Sequence, residues 1–370
     1  MRLTRVPLDT FARSGSFTRT VDLASLGWTD FFSQAFTAHA AAGRLPARVA
    51  LEHKHAYIVL TEKGEMTAEV VGRLLKREMM ASLPAVGDWV ALAVRPGEPR
   101  AHIHAVLPRR SRFSRRAPGE REEEQIVAAN VDSAFLVCGL DADFNLRRIE
   151  RYLALARGSG AVPVVILNKS DLCAEAAARV ALVQELAGEI AVHAISALDG
   201  RGVDALAPYL QRGRTIALLG SSGVGKSTLV NHLLGSLRQP VGDVREDDRG
   251  RHTTTRRELI PLRGGALLID TPGMRELQLW DRAADGLLAV FPEIMDLATH
   301  CRFGNCAHDR EPGCAVRAAL AAGTLGPDRF ASFLKLQTEL AALEARMTGV
   351  GRSRGGGGRQ RVTGRRIMRG

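Results

Sequence analysis

ILNKSDL, residues 166–172, decides how this chain is to be read. Its tetrapeptide Asn168-Lys169-Ser170-Asp171 has the residue types that read guanine, and it stands roughly fifty residues ahead of the glycine-rich turn GSSGVGKST, residues 220–228. In an ordinary guanine-nucleotide domain the phosphate loop comes first. Either the match is accidental, or the domain has been cut open and rejoined at another loop.

The stretch TIALLGSSGVGKSTLVNHLLG, residues 215–235, runs from an apolar strand through a glycine-rich turn to a helix start. Gly220, Ser221, Ser222, Gly223, Val224 and Gly225 form a loop whose amides can face inward on phosphates, and the helix N-terminus adds partial positive charge. Lys226 is expected to reach the outer phosphates, Ser227 to ligate magnesium, and Thr228 to open the helix beside them. Downstream, ALLIDTPGM ends a second buried strand at Asp270, placed to hold magnesium through water. The amide of Gly273 is placed to sense the terminal phosphate. Between them GRHTTTRREL, residues 250–259, offers Thr253, Thr254 and Thr255 to complete the magnesium shell, with Thr254 or Thr255 favoured.

These loops give NKSD its task. Asp171 can accept from the ring and exocyclic nitrogens of guanine, Asn168 can bond the base edge and brace the loop, and the Lys169 stem can lie along the ring face. Adenine presents the opposite donor and acceptor pattern, so a mismatched buried carboxylate would cost about 1–3 kcal/mol. HAISALDGRG, residues 193–202, supplies a supporting loop with Ser196 and Ala197 after the next strand. Base reader, supporting loop, phosphate loop, threonine loop and DTPG thus form a consistent set in rotated order. The reading is a circularly permuted α/β P-loop domain, because a parallel sheet tolerates new connections between strand ends at its surface.

Around this domain, residues 41–112 show short Val- and Ile-rich runs with Gly, Pro and charged breaks, the pattern of a small β-barrel. The basic-then-acidic stretch at 109–125 reads as a mobile, solvated connector, with the linker set at 113–128. The permuted domain is expected over 129–290, by βα repetition. A cysteine-bearing unit follows over 291–347, with Phe333, Leu336, Leu340, Leu343 and Met347 forming an apolar stripe that packs on its own domain. Residues 348–370 form an Arg- and Gly-rich tail expected to order only on a polyanion, and 1–40 an extension of unassigned role.

The chain of 370 residues, 45% hydrophobic and 25% charged, carries no apolar run fit to span a membrane and no signal-peptide core at its N-terminus, so a cytoplasmic location is expected. Lys and Arg number 51 against 40 Asp and Glu, a net charge of +11 that favours a nucleic-acid partner. Of five cysteines, Cys138 and Cys173 read as packing residues. The other three fall in THCRFGNCAHDREPGCAV: Cys301, Cys306 and Cys314, joined by His308. Three thiolates and one imidazole make a closed tetrahedral set, as one structural zinc ion prefers.

NKSDL at 168, GSSGVGKST at 220, GRHTTT at 250, DTPGMRE at 270 and the Cys301, Cys306, His308, Cys314 set together resemble the RsgA (YjeQ, EngC) family of small-ribosomal-subunit-dependent GTPases, over about residues 40–345. The resemblance implies a multidomain protein: an N-terminal OB-type barrel that binds RNA, a circularly permuted GTPase domain and a C-terminal zinc-binding helical domain. It implies late maturation of the 30S subunit, contact with 16S rRNA, and hydrolysis of GTP to GDP, stimulated by the subunit and timing release. A monomer is expected. Few aromatics, Tyr57 and Trp89, are available in the barrel for base stacking, so phosphate and shape contacts are expected to dominate. Met274 stands where Ras-type enzymes carry a water-orienting glutamine, which leaves His252 of the threonine loop as the candidate to place the water. Two other readings are a GTP-dependent RNA-binding scaffold without significant turnover and a metal-delivery GTPase. Intact Lys226, Ser227 and Asp270 oppose the first, and the closed ligand set opposes the second.

Overall fold

The computed structural model describes residues 22–53, 56–72, 82–95, 98, 100–116, 124–235, 257–270 and 290–352. The Val- and Ile-rich runs form five strands, β1 (Leu45–His53), β2 (Ala56–Thr61), β3 (Gly64–Val70), β4 (Trp89–Ala93) and β5 (Ala101–Val106). They pair in the order β1-β2-β3-β5-β4, with β4 returning to β1 and β3 parallel to β5, a closed five-stranded barrel of OB type. Alternate residues, including Val49, Tyr57, Val59, Val90 and Ile103, fill its interior.

Residues 22–41 are part of this packing. Asp22 caps a 3-10 turn over Leu23–Leu26 by accepting from the Ser25 amide, and α1 (Asp30–Ala41) follows. The Trp28 ring meets Trp89 edge-on at 4.7 Å and lies within 6 Å of Phe32 and Phe36, so the segment closes an aromatic cluster over β4. Tyr57 and Trp89 are therefore buried, at 2% and 0% exposure, and neither is a stacking platform. Arg48 of β1 ties the layers together. Its guanidinium donates to the carbonyls of Leu26, Gly87 and Asn130, and it lies 5.7 Å from the Trp89 ring centroid.

The connector read as mobile and solvated differs in its described residues. β6 (Arg112–Arg116) and β7 (Glu124–Ala129) form an antiparallel ladder, and Phe113, Ile126 and Val127 are buried. Just before β6, Arg109 also has an internal counter-ion: it binds fully buried Asp88 through two hydrogen bonds of 2.8 and 2.7 Å. Burial works against the Arg109 charge, but the adjoining carboxylate more than offsets it and holds the guanidinium protonated.

The second sheet is built from β8 (Ser133–Gly139), β9 (Val162–Asn168), β10 (Val192–Ala194), β11 (Thr215–Leu219), β12 (Glu258–Pro261) and β13 (Leu267–Asp270). Its spatial order is β10-β9-β8-β11-β13-β12, parallel except for β12. Helices α2 (Leu146–Ser159), α3 (Ala176–Ala187) and α4 (Lys226–Leu234) connect it. Every residue of β8 is buried because alternate residues enter separate cores: Ala134, Leu136 and Cys138 one, Phe135 and Val137 the other. Burial pushes the Cys138 thiol up to about 12, consistent with a packing residue. The outer edge of β12 pairs with β1 at Leu51 and Glu258, so barrel and α/β sheet are one continuous hydrogen-bonded surface.

Beyond it, α5 (Pro292–Thr299), α6 (Ala315–Ala321) and α7 (Pro327–Arg352) carry the cysteine cluster. Phe333 and Leu336 of the α7 stripe are buried against this unit and the side chains of Leu340, Leu343 and Met347 lie outside the described residues. Among the described residues no helix is long and apolar enough to cross a membrane.

The buried Asp88–Arg109 pair supplies a test of the junction. Asp88→Ala leaves a mostly buried guanidinium without its counter-ion and is expected to destabilise the chain by about 3–5 kcal/mol, read as a lowered midpoint in urea unfolding.

Candidate nucleotide site and Cys3His cluster

The parallel strands deliver their loops to one end of the sheet, where α/β proteins bind ligands. The turn after β11 needs left-handed backbone at Gly223 (φ 77°) and Gly225 (φ 93°), and α4 begins at Lys226. The loop's chemistry then follows: Lys226 Nζ donates to the carbonyls of Gly220 and Ser221 at 2.8 and 2.5 Å, with Ser227 and Thr228 half-exposed on the first turn of α4. Ser222 and Gly223 are exposed at the loop's outer side and Val224 is buried beneath it.

Asn168, the last residue of β9, is 2% exposed and reaches two other loops at once. Its Nδ2 donates to the Val224 carbonyl at 2.8 Å, and its Oδ1 accepts from the Ala197 amide at 2.9 Å. The base reader, the supporting loop and the phosphate loop are thus joined through one carboxamide. The fit is close: a Cβ on Gly225 would lie 2.2 Å from Asn168 Nδ2. Ser170 donates its amide to Ile195, and Ser196, fully buried, accepts the Gly200 amide at 2.8 Å and fixes the Ala197 turn.

Lys169 takes left-handed backbone (φ 67°), and its ammonium pairs with Asp141 Oδ2 at 2.6 Å. Partial burial pushes the Asp141 carboxyl up, but that ammonium and the Asp143 amide outweigh it and hold the group below the usual carboxylate range. Asp171 has a buried Oδ1 with no hydrogen-bond partner. An orphaned carboxylate oxygen at this place fits the ring and exocyclic N–H donors of guanine. Asp270 ends β13, parallel to and beside β11, which brings it to the end of the sheet where Ser227 lies in the first turn of α4. His252, Thr253, Thr254, Thr255 and Gly273 lie outside the described residues.

Three residues not singled out from the sequence complete this end. Asp141 orients Lys169, and its position just past the apolar run SAFLVCGL was its only signal. Arg148 and Tyr152 of α2 approach Ser221 Oγ at 2.8 and 3.4 Å, buttressing the phosphate loop from behind, and Arg148 also pairs with Asp143.

At the other end of the chain Cys301, Cys306, His308 and Cys314 bring their ligand atoms within 4.8 Å of one another. The Cys301–Cys314 sulfur distance is 3.9 Å, and both sulfurs lie 3.5–3.7 Å from His308 Nδ1. The edge of a tetrahedron with metal–sulfur bonds of about 2.3 Å is about 3.8 Å. Two local devices hold the set: Cys314 caps α6 by accepting the Arg317 amide, and Glu311 accepts from the amides of Ala307, Asp309 and Arg310 around His308, which sits at φ 60°. Glu311 carried no signal in the sequence beyond its place inside the cluster.

A rotated motif order on a six-stranded sheet, with a barrel before it and a Cys3His unit after it, has direct counterparts. The RsgA GTPase family profile matches residues 106–280. A small ribosomal subunit biogenesis GTPase RsgA from Opitutus terrae is 56% identical over 338 residues, 89% of this chain and 92% of that protein. The chain belongs to the RsgA GTPase family. The RsgA of Syntrophotalea carbinolica is 44% identical over 330 residues, covering 87% of this chain and 90% of its own length. Among solved structures, YjeQ from Thermotoga maritima aligns with a TM-score of 0.60 at 28% identity over 80% of this chain and 99% of its own. YloQ, described as a circularly permuted GTPase, shares the fold with a TM-score of 0.56 at 24% identity. The barrel, the permuted GTPase sheet and the C-terminal Cys3His unit are therefore the RsgA arrangement.

The joint at Asn168 is directly testable. Asn168→Ala strands the Ala197 amide and the Val224 carbonyl in a buried place, at a cost of roughly 2–3 kcal/mol. Affinity for GDP in a fluorescence titration is expected to fall about 30- to 150-fold.

Proposed function

We propose that this RsgA-family GTPase docks on the 30S subunit in its GTP state, contacts 16S rRNA, and leaves when hydrolysis removes the terminal phosphate. The observation that supports the reading is the Asn168 bridge, which joins the NKSD loop to the glycine-rich loop after β11 and to the Ala197 turn. The partner comes from the relatives' name, small ribosomal subunit biogenesis GTPase, and agrees with the +11 net charge. With both barrel aromatics buried, contact with RNA through this face rests on phosphates and shape. Action on 30S subunits sets the protein in the cytoplasm, working as a monomer.

In this reading Asp171 and Asn168 select guanine over adenine, the Lys169 stem, steadied by Asp141, covers the ring, and Ala197 supports the base from the neighbouring turn. The loop amides from Gly220 to Gly225 and the Lys226 ammonium hold the phosphates. Ser227, Asp270 and Thr254 or Thr255 are suited to hold magnesium, which with GTP would neutralise charge developing on the phosphates. Cys301, Cys306, His308 and Cys314 fit zinc by donor type and spacing, and four protein ligands leave the metal a structural part. Gly273 senses the terminal phosphate, and His252 orients the attacking water in the position that Met274 cannot serve.

The boundaries that go with this function are an RNA-binding barrel over 41–112, the GTPase over 129–290 and a zinc-binding unit over 291–347, with the basic tail 348–370 adding contacts to polyanions. Multiple-turnover phosphate release, with and without purified 30S subunits, tests the reading together with one substitution. His252→Ala is expected to keep GTP affinity and lose about 100-fold of the subunit-stimulated rate. Undiminished stimulation would remove His252 from the mechanism, and absence of stimulation in the unaltered protein would defeat the timer.

A further inference from the structure

The nucleotide loops occupy one end of the parallel strands. At the opposite end, where β8, β9 and β11 begin, lies a cavity of about 600 Å³. β11 is five residues long, which separates the two ends by about 15 Å. The cavity is walled by three parts of the chain: the N-terminal segment through Gly27 and Phe31, the barrel and its exit through Arg48 and Arg110, and the GTPase sheet through Asp132, Tyr209, Arg214 and Thr215. None of these residues belongs to the nucleotide or Cys3His sites.

Its charges do not balance. Arg109, also in the wall, is matched by Asp88. The remaining cations are Arg48, Arg110 and Arg214, and the remaining acid is Asp132. Arg110 and Arg214 share one oxygen of Asp132, at 3.6 and 3.4 Å, while its other oxygen is held by the Thr215 amide at 2.8 Å. Both guanidiniums stay about half exposed, at 43% and 55%. Arg48 is buried, and its three hydrogen bonds all go to carbonyls, with no carboxylate in contact. Three cations against one anion leave a surplus of two positive charges in a partly enclosed space, where low dielectric strengthens attraction for an anion.

Phe31, 43% exposed, adds an aromatic surface at the cavity wall. The space is far larger than a bare phosphate needs and suits a ligand bearing a ring as well.

We propose that this cavity is a second anion site that takes a phosphate monoester of mononucleotide size. A phosphate monoester carries about −1.5 to −2 charges at pH 7, which matches the surplus. Arg110 and Arg214 turn from the shared Asp132 oxygen to the phosphate, and the ring packs on Phe31. The same chemistry is offered by a free nucleotide and by the 5′-phosphate end of an RNA.

The experiment uses the full chain saturated with magnesium and GDP, so that the first site is filled. AMP, adenosine and inorganic phosphate are titrated by calorimetry, beside a short oligo(A) RNA with and without a 5′-phosphate. AMP is expected to bind at one equivalent, and adenosine and inorganic phosphate at least about tenfold more weakly. Arg110→Gln with Arg214→Gln is expected to weaken AMP about 100-fold while the GDP affinity certifies the fold. Binding of the 5′-phosphorylated RNA in place of AMP supports the same site with RNA as the source. No saturable binding of either phosphorylated probe, equal binding by the double variant, or displacement of GDP by AMP would overturn the assignment.

Discussion

One side-chain amide holds the candidate nucleotide site together. The Asn168 carboxamide donates to the phosphate loop and accepts from the supporting loop, in a place 2% exposed, so neither bond can be exchanged for water without opening the sheet's end. Gly225 is the other half of the same constraint, because a side chain there would occupy the space of the amide. The bond is lateral, between neighbouring strands' loops, and is indifferent to the order in which the chain visits them. That is why a guanine reader can precede its phosphate loop and the site still assemble, and it is the physical content of the circular permutation shared with YloQ.

The permutation also changes what each strand touches. β12 emerges directly from the threonine loop, pairs with β13 on one side and with barrel strand β1 on the other. Arg257, just before it, reaches Glu52 of β1 at 3.2 Å. On the far side of the domain, Arg329 of α7 donates to Glu150 of α2 and Glu293 of α5 at 2.7 Å, and to the Val290 carbonyl at 2.5 Å. Its guanidinium lies 4.3 Å from the Phe291 ring centroid. Burial disfavours its charge, but the two carboxylates outweigh that and keep it protonated. The GTPase sheet is therefore fastened to the barrel by a strand edge and to the Cys3His unit by buried Arg329–Glu150, with Arg147–Asp328 and Arg151–Glu339 beside it. Both fastenings adjoin segments that carry expected phosphate-sensing residues.

Much of this was legible from spacing. The strand–loop–helix around 215–235, the NKSD and SA turns, and the density of thiols near His308 each combine residue type with a local backbone requirement, and such local requirements survive without knowledge of the fold. The failures share a physical cause: a polar or aromatic residue whose partner lies far along the chain. Arg109 looked solvated because Asp88, its counter-ion, gives no local sign of being buried. Trp89 and Tyr57 looked available because the cover, Trp28 with Phe32 and Phe36, and the barrel interior come from elsewhere. Arg148 was not singled out, though it supports Ser221 seventy-three positions later.

The central claim is that a single carboxylate, Asp171, reads the base. Guanine offers an amino group at the position where xanthine carries a carbonyl. Asp171→Asn exchanges an acceptor for a group that can donate, so affinity for GDP is predicted to fall and affinity for XDP to rise, reversing the preference by at least about tenfold. A variant that still prefers GDP as strongly as the unaltered protein would contradict the account.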